Sequence, residues 1–165
     1  MNRMVVACIG LGANLGDAPA TVRAAMQALA RLPDCRLLAG SRLYRTPAWG
    51  KEDQPDFINA AVALETGLPA PTLLEYLLQT EQDFGRVRLP DERWGPRMLD
   101  LDLLLYGEQV IDLPQLKVPH PWLHERAFAL LPLAEVAADA LIPGHGTVRG
   151  ALAAMKTCGI EPIGG

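Results

Sequence analysis

Four arginines fall within twelve residues, Arg86, Arg88, Arg93 and Arg97, and two carboxylates follow at i, i+2 spacing, Asp100 and Asp102. Leu99–Tyr106 reads as a strand, and side chains two apart on a strand share a face. Asp100 and Asp102 therefore project together, while Leu99, Leu101 and Leu103 project the other way. Paired hard oxygens suit Mg²⁺, which takes one or two carboxylates and completes its shell with substrate phosphates. Arginine forks match phosphate oxygens in the same way. The segment has the chemistry of a site for a metal-bound polyphosphate. Alternating acids on the solvent face of an edge strand are common, and the two aspartates alone carry that blander reading. The arginines ahead of them, with Trp94 in their midst, shift the balance, since loops built for solubility more often use Lys and Glu.

Other motifs carry less. Gly10-Leu-Gly12-Ala-Asn-Leu-Gly16 follows a strand, but G-x-G-x-x-x-G is one residue longer than a dinucleotide fingerprint. It reads either as a turn that lets a ligand approach the backbone or as a plain strand–helix turn. His120 and His124 form H-x-x-x-H, yet Pro121 interrupts a helix there and no third ligand stands nearby, so zinc is disfavoured. A phosphate-binding or structural histidine fits better. Cys8, Cys35 and Cys158 form no C-x-x-C and read as reduced thiols.

The elements that must position these groups follow from periodicity. Met4–Gly12 is a continuous apolar strand, and Asp17 and Pro19 open a helix that carries Val22, Met26 and Leu29 on one face. Arg36–Tyr44 and Phe57–Glu65 read as strands, joined through the loop Thr46–Pro55. Pro71–Phe84 is a helix with Gly85 as its stop. The arginine loop comes next, then Leu99–Tyr106 turning at Gly107–Glu108 into a partner strand Gln109–Leu113. Leu116–Pro119 is extended, Glu125–Ala138 helical with a bend at Pro132, and Gly150–Lys156 a weak helix before a loose tail. Connections without helices favour antiparallel pairing. The order β-α-β-β-α-β-β-α predicts an α+β fold, an antiparallel sheet with helices packed on it in α-β-α layers.

The chain has 165 residues and a net charge of −4, consistent with one domain spanning 1–165 and unlike a general nucleic-acid binder. No signal-peptide pattern and no membrane-length apolar stretch is present, so a cytoplasmic protein without membrane partners is expected.

With these pieces in view the chain resembles the 6-hydroxymethyl-7,8-dihydropterin pyrophosphokinases, folate-pathway enzymes that move pyrophosphate from ATP to a pterin alcohol. The matching stretches are Gly10–Asp17, Tyr44–Pro47, Asp53–Leu64, Gly85–Arg88, Arg93–Asp102, Val118–Pro121 and Arg126–Leu133. They cover most of the chain in the family's order, and RWGPRMLDLD is the most specific of them. The resemblance implies a ferredoxin-like variant of the α+β fold and a monomer. It implies that Asp100 and Asp102 hold two Mg²⁺ ions. Arg86 and Arg97 would serve catalysis beside them. ATP would be held by Glu81, Arg86, Arg88, Arg93, Trp94, Arg97, Leu103, Lys117, His120 and Arg126. The pterin pocket would use Thr46, Pro47, Trp49, Phe57, Asn59, Trp94 and Phe128, with the two phenylalanines sandwiching the heterocycle.

The chain departs from the family pattern at Ala13, where serine is usual, at Ala48–Trp49, and at Gln115 and Lys117. Three rivals stand beside this reading: a kinase releasing ADP, a non-catalytic nucleotide or pterin module, and a two-metal nuclease, the last disfavoured by the acidic charge.

Overall fold

The computed structural model describes residues 4–47, 55–85 and 98–163. The chain runs β1 (Val5–Ala13), α1 (Ala18–Ala30), β2 (Cys35–Gly40), β3 (Leu43–Thr46), β4 (Phe57–Thr66) and α2 (Ala70–Asp83). It continues through β5 (Asp100–Tyr106), β6 (Ile111–Leu113), β7 (Leu116–Val118), a 3₁₀ turn (Leu123–Glu125) and α3 (Ala127–Ala137). It ends with β8 (Leu141–Ile142), β9 (Gly146–Thr147), α4 (Val148–Ala153) and β10 (Glu161–Ile163).

The apolar run of β1 occupies the middle of the main sheet, pairing antiparallel with β4 on one edge and β5 on the other. β2 and β3 share the far edge of β4, and β10 extends the sheet beyond β3. Because side chains alternate, the sheet is lined on both faces. Ile9, Leu11, Val62, Leu64, Leu101 and Leu103 pack with Val22 and Leu29 of α1 and Leu73 and Leu77 of α2. On the opposite face a smaller core joins Cys8, Ala61 and Leu104 to Leu130 and Leu133 of α3 and Val148 of α4. These are the α-β-α layers the sequence predicts. α1 begins as expected, with Asp17 accepting the Ala20 N–H at 3.2 Å.

Four expectations are corrected. The single strand 36–44 is two strands, broken at Ser41–Arg42. Side chains take over the ladder there: Ser41 Oγ accepts the Ala61 N–H at 2.9 Å, and Glu135 Oε1 accepts the Arg42 N–H at 2.8 Å. The hairpin Leu99–Tyr106/Gln109–Leu113 does not form; β5 pairs with β1, and β6 pairs with β7. Two further backbone groups of β5 have other partners, the Leu101 N–H in Glu81 at 2.7 Å and the Leu104 carbonyl in the His120 N–H at 3.0 Å. The helix placed at 125–138 starts at Ala127, because Arg126 is extended (φ −111°, ψ 94°) between the 3₁₀ turn and α3. The terminal helix starts earlier, at Val148, where Thr147 caps it by accepting the Gly150 N–H at 3.0 Å, and the supposed tail supplies β10.

Candidate active site

Asp100 and Asp102 open β5, with Asp102 exposed and Asp100 partly so. Leu101 between them is buried against α2, which is the face division that strand alternation predicts. Their neighbours on β1 are glycines: Asp100 pairs with Gly12 and Asp102 with Gly10. On its other side Gly12 pairs with Asn59, and Asn59 pairs with Tyr44. Directly paired residues share a face, so Tyr44, Asn59, Gly12 and Asp100 form one row across four strands. The row lies on the same face as α3.

The Asn59 end of this row is buried and held. Asn59 is 9% exposed and its Nδ2 donates to Thr46 Oγ1 at 2.9 Å; Thr46 is itself 3% exposed. Phe57, two residues before Asn59 on the same face of β4, pairs with Thr46 and is half-buried. Behind Asn59, the Tyr44 hydroxyl bonds the Glu135 carboxylate of α3, which also takes the Arg42 Nε at 3.1 Å. Burial alone would raise the Glu135 carboxyl, but the hydrogen bonds from Tyr44 and Arg42 outweigh it and hold it below the ordinary range. Burial pushes the Tyr44 phenol up, as does the adjoining carboxylate. No local pattern announces this brace, since Arg42 and Glu135 are 93 residues apart.

At the Asp102 end the charges are open. His120 follows the cis Val118–Pro119 bond. Its ring is pulled below the ordinary histidine range by burial, pulled back by the Asp102 carboxylate and lowered again by Arg126, so the three groups share one electrostatic neighbourhood. His120 Nδ1 is buried with no hydrogen-bond partner among the described residues, a polar atom available to a ligand. The Arg126 guanidinium lies over the Phe128 ring, 5.8 Å from its centroid. Burial pushes the nearby Cys8 thiol up to about 12, so it supplies no thiolate.

The remaining expected residues divide. Lys117 on β7 forms an ion pair with Asp112 of β6 and is half-exposed. Pro47 follows β3 and is partly buried. Glu81 is 3% exposed and accepts the Leu101 N–H between the two aspartates, so it fixes the start of β5. Leu103 is 4% exposed and packs in the core with α1 and α2, on the face away from Asp100 and Asp102. Arg86, Arg88, Arg93, Trp94, Arg97 and Trp49 lie outside the described residues.

The donor set fits Mg²⁺. Two carboxylates share one face, Asp102 exposed and Asp100 partly so, and no group of three or more His, Cys, Asp or Glu side chains gathers among the described residues. That leaves coordination positions for phosphate oxygens and water, the arrangement Mg²⁺ favours over a closed protein cage.

The chain is similar to proteins already known. A family model described as 7,8-dihydro-6-hydroxymethylpterin-pyrophosphokinase matches residues 8–138. A 2-amino-4-hydroxy-6-hydroxymethyldihydropteridine pyrophosphokinase of Methylorubrum extorquens is 49% identical over 161 residues, 97% of this chain and 99% of that one. The protein of the same description from Pseudomonas aeruginosa is 47% identical over 157 residues, 95% of this chain and 96% of that one. Among solved structures, the Plasmodium falciparum HPPK-DHPS with pteroate superposes with a TM-score of 0.67 at 14% identity, over 93% of this chain. The present chain spans 42% of that longer one, and the likeness concerns the fold. The chain belongs to the 7,8-dihydro-6-hydroxymethylpterin-pyrophosphokinase family, and with it to the transferases of folate biosynthesis.

Proposed function

We propose that this chain transfers the β,γ-pyrophosphoryl group of ATP to the hydroxymethyl oxygen of 6-hydroxymethyl-7,8-dihydropterin, releasing AMP, with Asp100 and Asp102 as ligands of two Mg²⁺ ions. The observation that carries this reading is the row Asn59–Gly12–Asp100, which joins a buried amide to the first of two carboxylates on one face, across a glycine of β1.

The reaction forms a bond from the substrate hydroxyl oxygen to the β-phosphorus and breaks the bond from that phosphorus to the α-bridging oxygen, which leaves on AMP. Such transfers ask the protein for alignment and charge neutralisation more than for covalent chemistry. When bound, two Mg²⁺ ions screen the charge on the phosphate oxygens and favour ionisation of the attacking hydroxyl. Asn59 and Thr46 fix one edge of the pterin through complementary donors and acceptors, and Phe57 and Phe128 offer aromatic faces to its rings. His120 and Arg126 hold the nucleotide beside Asp102, and Lys117 adds positive charge nearby. Leu103 can reach the nucleotide through its backbone, and Glu81 keeps β5 in register. Arg86, Arg88, Arg93 and Arg97 would neutralise the transferring group, with Trp94 and Trp49 closing over the two substrates. We further read residues 1–165 as one catalytic domain acting as a cytoplasmic monomer on small molecules; no helix among the described residues is long and apolar enough to cross a membrane.

Incubating the protein with ATP, Mg²⁺ and 6-hydroxymethyl-7,8-dihydropterin and resolving the nucleotides tests the reading. AMP formed in step with pterin diphosphate is expected. ADP, or no turnover, would sink it.

A further inference from the structure

We propose that Gly12 is a specificity-determining position for the acceptor, acting through Asn59 as a positioning residue. Its missing side chain leaves the Asn59 amide the room it needs to hold the position from which it grips the heterocycle. The inference rests on the reading of Asn59 and Asp100 given above. Asn59 and Asp100 lie on the two strands that flank Gly12, so their backbones stand two strand spacings apart, about 10 Å.

A Cβ at Gly12 would come within 3.0 Å of Asn59 Oδ1. Asn59 has little freedom to yield. Its Nδ2 is bonded to Thr46 Oγ1 at 2.9 Å, and its cross-strand neighbour Tyr44 is 3% exposed and tied to Glu135. The constraint is one of space and not of backbone conformation. Gly12 lies within β1 and is absent from the positive-φ glycines, so alanine is allowed by its dihedrals. The methyl is what matters. At Gly10 the same addition meets Leu104 Cδ1 at 3.3 Å, the mobile end of an apolar side chain, and no polar group is displaced.

The test compares Gly12→Ala, Asn59→Ala and the double variant with the wild type. KM is measured for each substrate, and the pterin is titrated calorimetrically into enzyme saturated with Mg²⁺ and a non-transferable ATP analogue. Gly12→Ala is expected to weaken pterin binding and raise the pterin KM at least tenfold, with the ATP KM within twofold of wild type. In the Asn59→Ala background the same substitution should add less than twofold, because the two act on one contact. Pterin affinity within twofold of wild type, an undiminished penalty without the Asn59 amide, or equal rises in both KM values would each overturn the assignment. Should Gly12→Ala unfold, Asn59→Ser combined with it removes the oxygen the methyl meets and should melt as Asn59→Ser alone does; persistent unfolding of the double variant, with Asn59→Ser alone folded, would overturn the assignment. Wild-type enzyme yielding ADP would sink the proposed reaction, whereas the calorimetric comparison judges Gly12 without turnover.

Discussion

The two ends of the row across β3, β4, β1 and β5 are built differently. At the acceptor end Asn59 and Thr46 are buried, bonded to each other and backed by Tyr44, Glu135 and Arg42. At the end assigned to phosphate Asp102 is exposed, and His120 Nδ1 has no partner among the described residues. On the proposed assignment, the contrast follows the ligands. A flat, neutral heterocycle is recognised by shape and by fixed donors and acceptors, and fixing them beforehand reduces the ordering cost of binding. A polyphosphate arrives with its own charge and metal, so an open array of ionic groups serves it, and the field rather than the fit draws it in.

The largest expected effect breaks the phosphate end alone. Asp100→Ala or Asp102→Ala should lower kcat by about 10³-fold, on the scale of losing a group that stabilises transition-state charge. Near-full activity in either variant, measured at saturating Mg²⁺, would refute their role as metal ligands. Asn59→Ala breaks the acceptor end; leaving the pterin's polar edge unpaired should raise its KM by about 10- to 100-fold, with the ATP KM nearly unchanged. A loss confined to ATP would reverse the assignment of the two ends. Arg126→Ala sharpens the comparison, with a rise of about tenfold in the ATP KM and little change for pterin, checked by the same kinetics.

The smallest effect concerns the brace. Folding holds the Glu135 carboxyl below its ordinary range, so ionisation favours the native state. That stability is present above the unfolded carboxyl value and is lost as pH falls through the lowered folded one. Glu135→Gln should therefore lower Tm by about 2–4 °C near neutrality, and the gap from wild type should close below about pH 4. A gap that stays constant into acid, followed by scanning calorimetry, would exclude an ionic origin.

The phosphate end was the more legible in sequence, and the reason is range. Strand alternation is a local property, so Asp100 and Asp102 declare a common face within three residues. The acceptor end depends on register between distant strands, and nothing near Gly12 says that Asn59 pairs with it. The same limit explains the misplaced hairpin. Gly107 does turn the chain (φ +56°), but its N–H bonds the Val6 carbonyl, and β5 finds its ladder on β1. β10 escaped for another reason: Glu161–Ile163 is three residues with a proline, too short for periodicity, and only the open edge of β3 makes it a strand. Glu81 shows the converse, since a residue that family resemblance assigns to ATP also holds the backbone between the two aspartates.

On the proposed reading, acceptor recognition and phosphate handling occupy separate ends of one row. Calorimetric titration of 6-hydroxymethyl-7,8-dihydropterin, in the presence of a non-transferable ATP analogue, tests it on the Asp102→Ala and Asn59→Ala enzymes side by side. The pterin Kd should stay within about threefold of wild type for Asp102→Ala, less than the 1.4 kcal/mol that a tenfold change represents, and rise at least tenfold for Asn59→Ala. Pterin binding lost in Asp102→Ala to the same extent as in Asn59→Ala would contradict the separation.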